Sequence, residues 1–203
     1  GRTTHEVAQQ YVPRARVVYT VDDAVVMAHA HELKATGRPN TVDVVHAGLR
    51  RPGGLVGSIA GLLDLSRPVG VLLTTLTFVP NRDRPAECTA HLMERLAPGS
   101  FLVVGQLARD VGRDELSTAV RRHDELAADR QMRPITARTA AELTPFFAGM
   151  ELLEPGLVTV DRWRPQPSPT AAAAPHGIAD RRGRDARCRG VGVVGGLVER
   201  AGG

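Results

Sequence analysis

Arg16-Val17-Val18-Tyr19-Thr20-Val21-Asp22-Asp23-Ala24-Val25-Val26-Met27-Ala28-His29-Ala30, residues 16–30, contains the change of period that decides the fold. The β-branched run 16–21 reads as a short strand, Asp22-Asp23 ends it, and over residues 24–36 the apolar positions recur at helical spacing. A strand that runs straight into a helix is half of a βαβ unit, and the alternation continues downstream. Residues 42–45 read as a strand, 54–65 as a helix, 69–75 as a strand, 84–96 as a helix and 101–105 as a strand, with Pro98-Gly99 as the turn before the last. Helices are also expected over 113–130 and 139–147, the second opened by Thr139 as N-cap with Glu142 as the partner of a capping box. Alternation at this spacing predicts an α/β fold, a parallel sheet with helices on both faces.

The 203 residues suffice for one ordinary domain and an appendage, with a core large enough to need neither metal nor disulfides. Residues 1–165 are expected to form that domain. Residues 150–153 and 156–163 read as an extended arm. Residues 165–190 hold Pro-Gln-Pro-Ser-Pro, four successive Ala and an Arg-rich run with hardly any large apolar residue, and residues 166–190 are expected to be a disordered linker. Residues 191–203 are expected to return as one last strand and a tail, the strand pairing with residues 156–161.

Apolar residues make up 42% and no apolar run approaches the roughly 18–20 residues of a membrane span, so a membrane partner is not expected. Only Cys88 and Cys188 are present, without the spacing of a zinc cluster or a disulfide framework, which suits a reducing, cytoplasmic compartment. The opening Gly1-Arg2-Thr3-Thr4-His5-Glu6 has neither Met nor a signal sequence, and the chain is read as starting inside a larger protein. The net charge of +4 invites a nucleic-acid reading, but residues 166–203 carry six Arg against three acids, which leaves only +1 on residues 1–165. With aromatics at 3%, the body lacks both a basic face and stacking platforms, so nucleic acid is not expected as a partner.

In doubly wound sheets, ligands sit beyond the carboxyl ends of the strands. Asp22 and Asp23 stand at such an end. A carboxylate there accepts hydrogen bonds from the hydroxyls of an adenosine ribose, or else it caps the helix that follows, a role Asp fills often. After the second strand comes Ala47-Gly48-Leu49, where an adenine ring would lie; Gly48 has no side chain, so contact would come from backbone groups or from His46, and an ordinary tight turn is the competing reading. The third strand ends in Thr74-Thr75-Leu76-Thr77-Phe78, a loop that would face a transferred group, although none of its side chains is a ready general base. His29 and His31 are two apart on a helix and cannot share a metal, and no metal site or nucleophilic triad is expected.

Taken together, Arg16-Val17-Val18-Tyr19, Asp23 and Val25-Val26-Met27-Ala28-His29-Ala30 resemble the second strand and following helix of a bacterial S-adenosyl methyltransferase family. His5-Glu6-Val7, Leu49-Arg50 with Pro52, Phe78-Val79-Pro80, Pro98-Gly99-Ser100, Phe146-Phe147, Glu154-Pro155-Gly156-Leu157-Val158 and Arg162-Trp163-Arg164-Pro165 are similar to its later segments. The resemblance covers most of residues 1–165. It implies a Rossmann-like class I methyltransferase sheet with an antiparallel last strand, S-adenosyl-L-methionine as a small-molecule cofactor, an acceptor that the sequence does not identify, and cofactor contacts from Asp22, Asp23, Ala47, Gly48, Leu49, Thr74, Thr75 and Leu76. It places a glycine-rich loop and a first strand ahead of Gly1, so the sheet in this chain is expected to lack its first strand. Val21 stands where the family usually has an acid, Gly48 where it has another, and Thr77 where a His is common. Binding by these residues alone is therefore expected to be weak.

The expected function is methyl transfer from S-adenosylmethionine. The competing readings are a nicotinamide-dependent oxidoreductase, which a last strand running parallel to its neighbours would favour, and a non-catalytic adenosyl-binding module, for which the substituted acids argue.

Overall fold

The computed structural model describes residues 2–36, 39–110, 122, 123, 125, 135–163 and 189–195. The chain divides into two compact units, residues 1–67 with 87–96 and residues 68–86 with 97–203.

The first unit is built on β1 (Val17–Val21) and β2 (Val42–His46), which run parallel with Val17 opposite Val42 and Val21 opposite His46. Parallel neighbours need a crossover of a dozen or more residues, and α2 (Ala24–Thr36) supplies it. Ahead of β1, α1 (Thr4–Tyr11) starts at a capping box in which Thr3 and Glu6 each accept from the other's backbone N–H. Its contact side is polar. His5 is fully buried, with Nδ1 3.0 Å from the Tyr19 hydroxyl, and buried Gln9 donates from Nε2 to Thr41 Oγ1 at 2.9 Å. After β2, α3 (Pro52–Ala60) begins two residues before the expected start, because proline suits a first helical turn where no N–H is required. It ends at Ala60 rather than residue 65, and its buried Leu55 and Ile59 lie four apart on one face. Leu92 and Met93 of α4 (Pro85–Met93) are buried as well.

In the second unit, β3 (Gly70–Leu73), β4 (Phe101–Leu107), β7 (Arg189–Gly195) and β5 (Glu151–Leu152) are hydrogen-bonded in that order, and β6 (Val158–Thr159) also pairs with β7. β4 extends past the expected residue 105. Along it Leu102, Val104 and Gln106 are buried in strict alternation, the period of a strand with one face on a core. Ser100, itself buried, accepts from the Val69 N–H at 3.1 Å and donates to the Ala97 carbonyl at 2.6 Å, tying the approach to β3 to the approach to β4. The capping box expected at Thr139 and Glu142 opens α5 (Ala140–Leu143). From Thr144 to Phe147 the chain tightens into a 3₁₀ turn, since Pro145 has no N–H to continue an α-helix; Leu143, Phe146 and Phe147 are buried.

The last strand corrects one expectation. β7 does pair with the 156–161 segment, Val158 opposite Val193, but it runs parallel to β4, β5 and β6 rather than antiparallel. The connection from Thr159 to Arg189 is long enough to return the chain to the same end of the sheet, which a short hairpin could not do. The expected helix over 113–130 falls almost wholly outside the described residues, as does the expected linker up to residue 188; β7 itself begins at Arg189, inside the segment read as linker.

Leu102 is fully buried on the central strand β4. Leu102→Ala is expected to destabilise the chain by about 2–5 kcal/mol in urea unfolding, and a loss well under about 1 kcal/mol would show that β4 does not carry this core.

Candidate functional site

The carboxyl end of β1 separates the two acids. Asp23 Oδ1 accepts from the backbone N–H groups of Val25 and Val26 at 2.8 and 3.1 Å, so Asp23 is the N-terminal cap of α2. Asp22 is not used that way. Its Oδ2 accepts from Arg50 Nη2 at 2.9 Å, and the pair is open to solvent, with side-chain exposures of 33% for Asp22 and 47% for Arg50. An ion pair this exposed contributes about 0–1 kcal/mol and is easily exchanged for another partner.

The loop after β2 is pressed against the same acid. The Ala47 N–H donates to the Val21 carbonyl at 3.0 Å, which ties the carboxyl ends of β1 and β2 together. A Cβ at Gly48 would stand 2.7 Å from Asp22 Cβ and 3.3 Å from its Cγ, closer than real contacts allow. Gly48 thus leaves room for the Asp22 side chain, and the Gly48 carbonyl accepts from the Arg51 N–H at 3.1 Å, closing a turn that sets Leu49 and Arg50. His46, the side chain read as a possible adenine contact, is exposed at the end of β2. A recess of about 490 Å³ in this unit, lined by Pro13, Arg14, Arg16, Pro39, Asn40 and Thr41, lies at the amino ends of β1 and β2, opposite to Asp22.

In the second unit, Thr74 and Thr75 are exposed just beyond the carboxyl end of β3, whereas Leu76 is 2% exposed and its carbonyl accepts from Arg138 Nη1 at 3.1 Å. The Leu76 side chain is therefore a core anchor and not a surface contact. Thr77 is held through its hydroxyl, which accepts from the Leu107 N–H at 3.1 Å and from Gln106 Nε2 at 3.0 Å. Arg138, 1% exposed, donates further to Asn81 Oδ1 at 2.9 Å, to Gln106 Oε1 at 2.8 Å and to the Val79 carbonyl, with its guanidinium 5.7 Å from the centre of the Phe146 ring. Burial presses the Arg138 pKa downward and the charge of Glu142 opposes it. Sequence reasoning missed Arg138, because nothing local separates it from the other arginines; its partners lie 32 to 62 residues away.

Beyond β4, Arg109 donates to the Ala137 carbonyl and pairs with Glu142 Oε1, both at 2.9 Å, and the Ala140 N–H donates to Asp110 Oδ2 at 2.9 Å. The Thr139 backbone N–H, and after it Arg109, hold the Glu142 carboxyl below the usual carboxylate range. Among the described residues no group of His, Cys, Asp and Glu is placed to hold a metal ion.

Gly48→Ala is expected to push Asp22 out of place and lower the unfolding midpoint, while Gly57→Ala, where an added Cβ meets nothing, is not; equal effects would show that Gly48 is ordinary. Glu142 contributes stability that is fully present above its unfolded pKa and is lost as the pH falls through its lowered folded value. Urea midpoints measured from about pH 6 down to about pH 3 should therefore fall less steeply for Glu142→Gln, which keeps the acceptor and removes the charge.

A family model described as S-adenosyl methyltransferase matches residues 2–195. The chain is similar to the crystal structure of a DUF574 family protein from Streptomyces avermitilis MA-4680, at 32% identity and a TM-score of 0.68 over 81% of this chain and 63% of that one. It is also similar to a candidate methyltransferase from Thermobifida fusca YX, at 28% identity and a TM-score of 0.67 over 85% of this chain and 64% of the other. The chain thus spans less than two thirds of the length of either structure. No curated protein matches it. With its α/β fold and a family match along nearly its whole length, the chain belongs to the S-adenosyl methyltransferase family.

Proposed function

We propose that this chain binds S-adenosylmethionine through Asp22 and serves in methyl transfer to a small-molecule acceptor. The observation that carries the reading is the place of Asp22: a carboxylate at the carboxyl end of β1, beside the capping Asp23 and paired with the exposed Arg50. That is the chemistry a ribose needs, since its hydroxyls donate and a carboxylate accepts. Asp22 would take them in place of Arg50. Ala47, Gly48 and Leu49 would back the adenine, with Gly48 keeping the loop close to the acid. Asp23 would act indirectly, by fixing the start of α2 beside its neighbour. In the second unit, taken by itself, the exposed Thr74 and Thr75 beyond β3 would offer hydroxyls to a ligand, and Leu76 would contribute through the anchoring of its side chain.

S-adenosylmethionine supplies an electrophilic methyl group on a sulfonium. What the protein must add is chiefly orientation, which can account for much of such a rate without a dedicated acid or base. This fits a set of side chains made of one carboxylate and several hydroxyls. Two cysteines without a disulfide framework suit a reducing, cytoplasmic setting, and no helix among the described residues is long and apolar enough to cross a membrane. One observation favours the nicotinamide reading instead, the parallel course of β7. The family match over residues 2–195 outweighs it.

Saturation-transfer NMR, which reads affinities into the millimolar range, separates the two. S-adenosylmethionine is expected to bind and NADH is not. Asp22→Ala should weaken binding about tenfold or more, the effect of removing charge-assisted hydrogen bonds. Preference for NADH, or an unchanged affinity in Asp22→Ala, would overturn the reading.

A further inference from the structure

The recess of about 490 Å³ at the amino ends of β1 and β2 lies wholly within the first unit and is lined, among the described residues, by Pro13, Arg14, Arg16, Pro39, Asn40 and Thr41. The two segments that wall it are fastened to each other. Gln9, buried on α1, donates from Nε2 to the Ala15 carbonyl at 3.3 Å and to Thr41 Oγ1 at 2.9 Å, and the Val17 N–H donates to the Thr41 carbonyl at 2.8 Å. Asn40 holds a left-handed conformation, φ 60°, which asparagine tolerates better than most residues, and so turns the chain into β2. Five residues of β1 at about 3.3 Å each set the recess roughly 16 Å from Asp22, a separate place from the ribose contact proposed above.

Arg14 and Asn40 make no side-chain hydrogen bond or ion pair among the described residues. The Arg16 guanidinium stands 3.5 Å from Asp43 Oδ2 and its side chain is 49% exposed, a pairing too long and too solvated to engage its fork of donors. Two guanidiniums against one carboxylate leave the recess positive. A guanidinium matches an oxyanion by donating two parallel N–H bonds, and a tetrahedral phosphate accepts from donors that arrive on several sides. Pro13 and Pro39 add apolar wall that a bare ion would not use and the organic part of an ester would. We propose that this recess binds a small phosphate monoester, with Arg14 as its main contact and Arg16 and Asn40 beside it. The site does not depend on the cofactor reading.

The test is an amide NMR titration of the full chain with glycerol phosphate and, separately, with inorganic phosphate, each replacing sodium chloride at constant ionic strength. Saturable shifts are expected at Arg14, Ala15, Arg16, Asn40 and Thr41, with glycerol phosphate the tighter of the two. Arg14→Ala should weaken binding about fivefold or more, the effect of losing a charge-assisted pair of hydrogen bonds. Arg14 is exposed and unpartnered, so this variant should fold as the parent does. Arg67→Ala, which removes the same charge from another exposed position of the unit, should leave the affinity unchanged. Shifts that do not saturate, or equal weakening in the two variants, would show a diffuse charge effect and overturn the site. Equal affinities for the two probes would overturn the monoester in favour of free phosphate.

Discussion

The parallel hydrogen-bond ladder between β1 and β2 is the constraint on which the first unit depends. Parallel strands leave the sheet at the same edge, and with Val21 opposite His46 the residues that follow both strands are thrown together there. The Ala47 N–H reaching back to the Val21 carbonyl closes that edge. An acid at position 22 and a residue without a side chain at 48 then have to share a space too small for a Cβ between them. A slip of one residue in the register would turn every side chain of β1 to the other face and dissolve the arrangement. The backbone thus sets where the acid stands, and its contacts then hold it there.

Given that edge, the two neighbouring carboxylates have different work. The one in line with the first turn of α2 satisfies two orphan N–H groups, which a helix start must do with some acceptor. The other faces the loop after β2 and meets Arg50. Because that ion pair is well solvated, it holds the carboxylate in place without tying it down energetically. A side chain committed to the helix would be a poor ligand contact, and one buried with its arginine would be hard to free. Asp22 is neither.

The second unit rests on a different device. β4 buries alternate residues, and where that series reaches Gln106 the buried position is polar, so a network must satisfy it. Arg138 supplies the donors and the loop after β3 supplies the acceptors. The same network explains why Leu76 and Thr77 cannot be read as plain surface residues: one is a core anchor, and the other has its hydroxyl taken by β4.

The amino-acid sequence by itself determined the alternation of strands and helices, the span of α2 and the capping box at Thr139 and Glu142, because each depends on residues within a turn or two of one another, where periodicity and caps operate. It also brought the chain to the right family through local strings such as 16–30. The direction of β7, the choice of Asp22 over Asp23 as the exposed acid, its pairing with Arg50 across 28 residues, and the buried fork of Arg138 were decided only by the tertiary structure. Those outcomes depend on which distant groups the folded backbone brings within hydrogen-bonding distance. No spacing along the chain encodes that, since one Arg or Asp looks like another until the fold places an acceptor, a helix end or a glycine beside it.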